Sequence, residues 1–558
     1  MRSGMGSRKS WSLVAVLLFA IALIASACGG GDDDDGGSSG GGNGTDDAAA
    51  GTPTPGGSVT YGLEAENPGG WCLPEAQLDI SGIQVARTIY DTLTIPNETG
   101  EYVGMLAESY EASADQMTFT FKLRPGVKFH DGSALDSTVV KNNIDAYRGT
   151  YPARSPLLFS ITLKNIADVT APDPMTVVVT TKTPWPALPA YMYGSGRLGI
   201  MAQAQLDDAA TCDTKLIGTG PFKLKEWQIN DHLTGEKNKD YWMKDSAGEA
   251  LPYLEEIIYK PIPDGPARWT ALQSGDITME HDSGAATIAQ MREAKEAGQI
   301  NLTATNEFTE VAYGMFNMSK PPFNSLTARQ AVAASFDADA YNEVRNQGLF
   351  EMASGPFAPG EVGYLEDAGF PAYDLDEAKK LVAQYQQETG QPLEFTITST
   401  TDSEVVKNVQ YVQELGEKAG MKITTKTVEQ AALINTALGG DWQAITWRNH
   451  PGGNPDGQYV WWHSGEPTNF GKINDPELDA LLEQGRAEAD PAKQKTIYED
   501  VNRVFGKQIY NLWFNWSEWN IATATDIFGI YGPDNADGSK PFPGLATGHS
   551  VAGLWVQQ

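Results

Sequence analysis

The alternation of apolar and polar residues predicts strands and helices that begin shortly after residue 56. Ser58–Leu63 alternates with the two-residue period of a strand. Downstream, the apolar residues Ile83, Ala86, Ile89 and Leu93 recur at helical spacing. Strand-like and helix-like segments keep alternating to the C terminus, which predicts an α/β fold with several sheets.

Three features sharpen this outline. Residues 117–132 (MTFTFKLRPGVKFHDG) predict two strands broken by Pro125 and Gly126. The next segment opens with Asp136 or Ser137 as the N-cap and continues as a helix. Later helices are predicted at 375–387, 408–420 and 476–489.

The N terminus has the pattern of a lipoprotein signal peptide. An uncharged apolar run, Trp11–Ala27, follows three basic residues, and small residues precede Cys28. Ala25 departs from the leucine usual at this position, and a retained signal anchor is the alternative, since about 17 apolar residues is a short span. Residues 1–27 are predicted to be the signal peptide, with a lipid on Cys28. Both interpretations put the rest of the chain outside the cytoplasm.

The following segment, 28–56, is rich in Gly and Asp and has almost nothing apolar to bury. It is predicted to be a disordered tether between the anchor and the folded part. The run Asp32–Asp35 could suggest calcium, but it lacks the alternating ligand spacing of a calcium loop.

Composition narrows the class of protein and its compartment. The chain has 40 basic and 72 acidic residues, a net charge of −32, which disfavours nucleic acid and anionic lipid as partners. Its aromatic content of 10% supports a large core divided between more than one domain. In an oxidising compartment, Cys72 and Cys212 are predicted to form a disulfide, with two buried free thiols as the alternative.

Motifs of common enzymes are missing from the sequence. It contains no Gly-x4-Gly-Lys-Ser/Thr, no His-Glu-x-x-His and no Gly-x-Ser-x-Gly, and its six histidines lack metal-ligand spacing. Gly194, Gly196 and Gly199 match Gly-x-Gly-x-x-Gly, but a proline-rich segment precedes them instead of a strand. The spacing of the 72 acids singles out no catalytic pair, and we therefore predict no cofactor, no metal and no enzymatic activity.

Five segments, in order along the chain, resemble family 5 of the extracellular solute-binding proteins, the group of oligopeptide, dipeptide and nickel binders of ABC importers. They are LAESYEASADQMTFTFKLRPGVKFHDGSALDSTVVKNNIDAY, IGTGPFKLKEW, FNMSKPPFNSLTARQAVAASFDADAYNEV, FPAYDLDEAKKLV and NDPELDALLEQGRAEADPAKQKTIYEDVNRVF.

The resemblance implies a two-lobed periplasmic-binding-protein type II (Venus-flytrap) fold with an extra subdomain inserted in the first lobe. The first lobe would comprise residues 57–98, 217–308 and 512–558, with the inserted subdomain at 99–216. The second lobe would span 309–511. Two crossings, Glu310–Asn317 and Ile509–Trp516, would form the hinge.

The resemblance also implies a ligand site in the segment ITWRNHPGGNPDGQYVWW. Trp447 matches the pocket tryptophan of peptide binders, and Arg448 and Asn449 follow it. The acid that pairs with a peptide's amino terminus falls on His450, and a neutral histidine cannot replace it. Arg448 suits a carboxylate or phosphate, with an ion pair inside the protein as an equal alternative.

Two other segments match the edges of the same cleft. Asp79, Ile80 and Ser81 lie in the first, where Asp79 is a candidate acidic contact or simply an exposed loop acid. Trp513 lies in the second, as a candidate aromatic wall or a core residue.

The implied function is capture of a peptide-like or other small organic solute and its delivery to the permease and ATPase subunits of an ABC importer. The protein is expected to be a monomer that touches the membrane through its lipid alone. A surface hydrolase and a sensory binding module without a permease are the alternatives. The departure at His450 leaves open whether peptides bind.

Overall fold

A computed structural model of the chain describes residues 51–67, 69–156, 158–449 and 454–558. The predicted signal peptide, Cys28, nearly all of the tether and His450 lie outside these ranges. In the described residues no helix is both long and apolar enough to cross a membrane.

The strands, in chain order, are β1 (Ser58–Leu63), β2 (Thr94–Pro96), β3 (Tyr102–Gly104), β4 (Ala107–Ala112), β5 (Thr118–Leu123), β6 (Ile166–Asp173), β7 (Thr176–Thr181), β8 (Phe222–Gln228), β9 (His232–Lys237), β10 (Glu256–Pro261), β11 (Met279–Asp282), β12 (Asn301–Thr305), β13 (Val311–Phe316), β14 (Glu394–Thr400), β15 (Lys422–Val428), β16 (Ala444–Asn449), β17 (Asn511–Trp516), β18 (Trp519–Thr523), β19 (Ile527–Phe528) and β20 (Trp555–Val556).

The helices are α1 (Ile80–Ile89), α2 (Ser137–Tyr147), α3 (Phe159–Thr162), α4 (Leu188–Tyr193), α5 (Gln203–Asp207), α6 (Gly265–Ser274), α7 (Ala285–Glu296), α8 (Leu326–Ser335), α9 (Ala338–Asn346), α10 (Leu375–Thr389), α11 (Ser403–Lys418), α12 (Gln430–Gly439), α13 (Tyr459–Trp462), α14 (Pro476–Ala487), α15 (Pro491–Gln508) and α16 (Leu545–Gly548).

Three sheets of four or more strands organise the described residues, beside two two-stranded sheets, β2-β3 and β19-β20. A seven-stranded sheet has the order β12-β18-β11-β1-β10-β9-β8, with β1 parallel to both of its neighbours. A five-stranded sheet has the order β15-β14-β16-β13-β17. A four-stranded antiparallel sheet, β4-β5-β7-β6, lies between α1 and β8 in the sequence. Mixed sheets with helices confirm the predicted α/β class.

The buried side chains separate into bodies that follow these sheets. One core cluster joins the seven-stranded sheet to the four-stranded one, for example Tyr61 of β1 with Phe119 of β5. Two other clusters cover opposite faces of the five-stranded sheet. The four-stranded sheet therefore shares a continuous apolar core with the seven-stranded sheet, and the five-stranded sheet has cores of its own.

The chain passes between the two larger sheets twice. It leaves β12 of the seven-stranded sheet at Thr305 and enters β13 of the five-stranded sheet at Val311. It returns between Trp516 at the end of β17 and Trp519 at the start of β18. These two short connections are the only backbone links between the sheets within the described ranges.

Local sequence accounts for the helix starts. Oδ1 of Asp136 accepts a hydrogen bond from the backbone N–H of Val139, so Asp136 is the N-cap of α2.

The second strand predicted in residues 117–132 is wrong, because after β5 the chain forms only an isolated bridge between Lys128 and Ala134. Gly132 has a φ of +86°, and this left-handed turn folds the segment back on itself within a few residues.

A disulfide joins Cys72 to Cys212, with an S–S distance of 2.05 Å. It closes a sequence separation of 140 residues, which contains α1 and the whole four-stranded sheet. The guanidinium of Arg154 donates to the sulfur of Cys72 at 2.9 Å.

Candidate functional site

A cluster of charged side chains forms where the two larger sheets face each other. We call Glu64, Asp79, Arg197, Glu310 and Arg448 the charged cluster. Glu64 follows β1 directly, Glu310 directly precedes β13, and Arg448 belongs to β16. Residues remote in sequence meet here because the ends of β1, β13 and β16 converge.

Within the charged cluster, Arg448 contacts carboxylates of both bodies. Its Nη1 lies 3.5 Å from Oε2 of Glu310, and its Nη2 lies 3.9 Å from Oε1 of Glu64, which belongs to the opposite body. The side chain is still 45% exposed, whereas that of Glu310 is 1% exposed. Such long contacts leave the planar fork of Arg448 accessible to an incoming oxyanion.

The cluster shifts the acidity of its members. Glu310 raises the pKa of the Arg448 guanidinium above its ordinary value against the opposing effect of burial, and Glu64 adds to the rise. Burial raises the pKa of the Glu64 carboxyl to about 7, although Arg448 opposes this shift. Arg448 therefore stays charged at any physiological pH, and Glu64 titrates near neutrality.

Asp79 contributes at the start of α1. It is exposed and caps the helix, accepting a hydrogen bond from the backbone N–H of Gly82 at 2.8 Å. Ile80 and Ser81 behind it are buried, and the Ser81 hydroxyl accepts from the backbone N–H of Ala65 at 3.2 Å. Ser81 thus attaches the start of α1 to the segment that follows β1.

Arg197 supplies a second cation from the segment after α4. Its Nε donates to the carbonyl oxygen of Leu78 at 3.0 Å, which holds it beside the start of α1. Burial lowers the pKa of Arg197 to about 10, with Asp79 and Glu310 opposing the shift. The cluster therefore presents two guanidinium groups and at least three carboxyl groups to one region.

The predicted aromatic residues lie on the other face of the five-stranded sheet. Successive side chains alternate along a strand, so Trp447 and Arg448 project to opposite faces of β16. Trp447 is half-buried with its ring centroid 5.4 Å from that of Phe470. Trp513 is 1% exposed and packs 5.2 Å from Tyr313, centroid to centroid. In this structure Trp513 makes the contacts of a core residue.

Asn449 ends β16 and is 3% exposed. Among the described residues, neither its amide nitrogen nor its amide oxygen has a hydrogen-bond partner. A buried amide with unused donors and an unused acceptor can bind a polar group that reaches it.

The structure brings Asp79 and Arg448 together, as the sequence comparison of cleft segments suggests, and adds three residues that the sequence did not single out. Glu64, Arg197 and Glu310 were missed because nothing in their spacing connects them. The position of Glu64 immediately after a predicted strand is a weak indication that it could belong to a site. Glu310 is the first residue of a predicted hinge crossing, but the sequence assigned it no role in binding.

In the described residues no group of three or more His, Cys, Asp or Glu side chains could hold a metal ion. The charged cluster pairs carboxylates with guanidinium groups, an arrangement that can bind charged groups.

Comparison with known proteins gives a consistent picture. Residues 101–472 match the family model for the bacterial extracellular solute-binding proteins, family 5. The glutathione-binding protein GsiB of Pectobacterium atrosepticum is 27% identical over 432 residues, covering 75% of this chain and 80% of that protein.

Two solved structures have the same fold. AgaA from A. tumefaciens R10, in complex with agropinic acid, is 26% identical with a TM-score of 0.77, over 90% of this chain and 99% of AgaA. The oligopeptide-binding protein AppA from Bacillus subtilis, in complex with a nonapeptide, is 22% identical with a TM-score of 0.76, over 91% of this chain and 100% of AppA.

Proposed function

The chain belongs to family 5 of the bacterial extracellular solute-binding proteins, and on that premise we propose that it captures a small peptide-like solute carrying both a carboxylate and a cationic group. Capture of a solute for an ABC importer is the role of this family. The class of solute, the residues that contact it and the lipid anchor are the proposed parts.

The two bodies act as the lobes of a trap. The first lobe is the seven-stranded sheet with the inserted four-stranded subdomain, and the second is the five-stranded sheet with its helices. In the part of the chain that the structure describes, only two short connections link the sheets, so the lobes can rotate with small changes at 305–311 and 516–519. A solute that contacts both lobes stabilises the closed state by its differential affinity for that state.

The position of Arg448 is the observation that carries the proposal. Its guanidinium belongs to the second lobe, and Nη2 lies 3.9 Å from Oε1 of Glu64 on the first lobe. A solute carboxylate that reaches Arg448 displaces these long contacts with shorter, charge-assisted hydrogen bonds. Glu64, released from Arg448, is then available to a cationic group of the same solute.

Relatives support this class of solute. GsiB is named for glutathione and AppA was solved with a nonapeptide, while AgaA was solved with agropinic acid. For this chain we propose a small solute of comparable kind. Because His450 stands where peptide binders have their acid, we assign recognition of the solute's cationic group to Asp79 and Glu64.

The remaining contacts are assigned by position. Asn449 and Trp447 project to the face of β16 opposite to Arg448, so a solute would reach them where it extends past the end of the strand. There Asn449 would donate or accept a hydrogen bond, and Trp447 would cover an apolar part of the solute. Ile80 and Ser81 would hold the start of α1 in place behind Asp79. Trp513 would support this wall from within the core.

Outside the cytoplasm, the protein would be held at the membrane surface by a lipid on Cys28 and would act as a monomer. Permease and ATPase subunits of an ABC importer would be its partners, and the tether would let the trap reach them.

The experiment is binding of defined probes to the soluble protein, followed by native mass spectrometry and tryptophan fluorescence. Glutathione, a set of dipeptides and agropinic acid are the probes. We expect at least one to bind with a 1:1 stoichiometry, and Arg448→Ala to weaken that binding by about 100-fold, the loss of a charge-assisted pair.

Arg503→Ala is the matched control, since Arg503 is 51% exposed and pairs with Asp500 on α15. It is expected to leave the affinity unchanged. Failure of glutathione and of every dipeptide, together with binding of purely anionic solutes, would contradict the proposed solute class. Turnover of a bound probe would instead support the hydrolase alternative.

A further inference from the structure

Asp456 is the centre of a buried contact between the lobes, away from the charged cluster. It lies in a 3-10 turn, Pro455–Gln458, and is fully buried. Its Oδ2 accepts a hydrogen bond from Nε1 of Trp185 at 2.7 Å, and its carbonyl oxygen accepts one from the hydroxyl of Tyr191 at 2.9 Å. Arg486 of α14 donates to both carboxylate oxygens, at 2.8 and 3.1 Å.

The partners come from different bodies. Trp185 is fully buried in the apolar core that joins the inserted subdomain to the seven-stranded sheet. Asp456 and Arg486 belong to the second lobe. The Trp185 and Tyr191 donors thus reach across the boundary between the lobes, and Nη2 of Arg486 donates to the Tyr191 hydroxyl at 3.3 Å. Any separation of the lobes at this point must break all three hydrogen bonds.

A second polar contact crosses the same boundary. The ammonium of Lys164, in the inserted subdomain, pairs with the carboxylate of Glu466 in the second lobe. The Glu466 side chain is 3% exposed, whereas that of Lys164 is 48% exposed. The boundary is therefore held by directional polar contacts at more than one point, which suits a surface that opens and closes.

Separation of the lobes would not leave Asp456 without a counter-charge. Arg486 is on the same lobe and stacks on Tyr459, with its guanidinium carbon 3.5 Å from the ring centroid. In the open state water can replace Trp185 and Tyr191, while the Asp456–Arg486 pair stays intact. Exchange of protein donors for water makes the net gain on closure modest and the contact reversible.

We propose that the Asp456–Arg486 pair is a closure latch, on which Trp185 and Tyr191 dock when the trap shuts. The latch rests on the proposed two-lobed function. It implies that contacts within the protein supply part of the stability of the closed state. The solute then needs to supply only the remainder, and its apparent affinity depends on residues it never touches.

The test measures lobe closure without any solute. Spin labels are attached to a soluble form carrying Cys28→Ser and the exposed substitutions Glu111→Cys on β4 and Glu417→Cys on α11. Distances are measured by pulsed electron paramagnetic resonance, and native mass spectrometry verifies that no solute is bound.

We expect the wild-type background to populate a short-distance closed state. Trp185→Phe combined with Tyr191→Phe removes both donors and keeps an aromatic ring at each position, and is expected to lower the ratio of closed to open protein by about tenfold. Trp442→Phe and Tyr151→Phe are the controls, because their hydrogen bonds to Ala437 and Asp207 stay within one body. They should leave the distances unchanged.

Two results would overturn the latch. One is a distance distribution that the double variant leaves unchanged, with a thermal unfolding midpoint close to that of the wild type. The other is a solute-free wild-type protein that is entirely open. Neither result bears on whether a solute binds, so failure of the latch and failure of the proposed function are distinguishable.

Discussion

Nη1 of Arg448 lies 3.5 Å from Oε2 of Glu310, a carboxylate that is almost completely removed from solvent. The arginine is half-exposed, so this pair combines a buried anion with a cation that solvent and solute can reach. Glu310 therefore holds the Arg448 guanidinium in place before any solute binds.

Arg448→Met is expected to lower the free energy of unfolding by about 1–2 kcal/mol, because it removes a cation from a buried carboxylate. Glu310→Gln in the same background should recover part of this loss, with a coupling energy of about 1 kcal/mol in a double-mutant cycle. Urea unfolding measures all four proteins. Arg503→Met is the control and should stay within about 0.5 kcal/mol of wild type, since its ion pair is exposed. Strict additivity of the two substitutions would contradict the pairing.

Glu64 predicts a pH dependence of stability. Burial raises the pKa of its carboxyl from 4.5 to about 7 in the folded protein, so the folded state holds the proton more tightly than the unfolded state. The contribution of Glu64 to stability is therefore fully present below pH 4.5 and is lost as the pH rises through 7.

Between pH 4.5 and 7.5 the wild type is expected to lose roughly 1–3 kcal/mol more stability than Glu64→Gln. Unfolding in urea at several pH values measures the difference. Glu111→Gln, on the exposed edge of β4, should reproduce the wild-type profile. Parallel profiles for the wild type and Glu64→Gln would rule out titration of Glu64 in this range.

The disulfide predicts a large effect on stability. Replacing both Cys72 and Cys212 by Ser removes a cross-link that spans 140 residues. The expected loss is about 2–5 kcal/mol, because the unfolded chain regains conformational freedom. Urea unfolding of the variant and of wild type with and without reductant measures it. Reduced wild type should unfold like the variant, and equal stability of oxidised and reduced wild type would contradict the expectation.

Cys28 predicts the location of the protein in the cell. Cys28→Ser should release it from the membrane fraction into the extracytoplasmic soluble fraction and abolish incorporation of a palmitate analogue. Detergent phase separation and metabolic labelling measure these effects. Thr45→Ser, in the predicted tether, is the control and should stay in the membrane fraction. Labelling that persists in Cys28→Ser would place the lipid elsewhere.

Local patterns predicted much of the secondary structure. The strand at 58–63 has the bounds expected from alternation, and Asp136 caps α2 as one of the two expected residues does. These features depend on neighbours within a few positions, which is why one sequence sufficed. The strand expected after Gly126 does not form. An alternating pattern of apolar and polar residues carries no information about the left-handed turn at Gly132, which ends the extended segment.

The sequence by itself determined the α/β class, the family resemblance and the candidate lipid site, since each rests on residues that are adjacent or evenly spaced. Only the tertiary structure decided that Glu64, Glu310 and Arg448 meet, because strand order brings together positions that are remote in the sequence. It also decided that Trp185 reaches Asp456 across the boundary between the lobes. Charge interactions fall off with distance through space, so the folded path of the chain, and not its order, selects which charges act together.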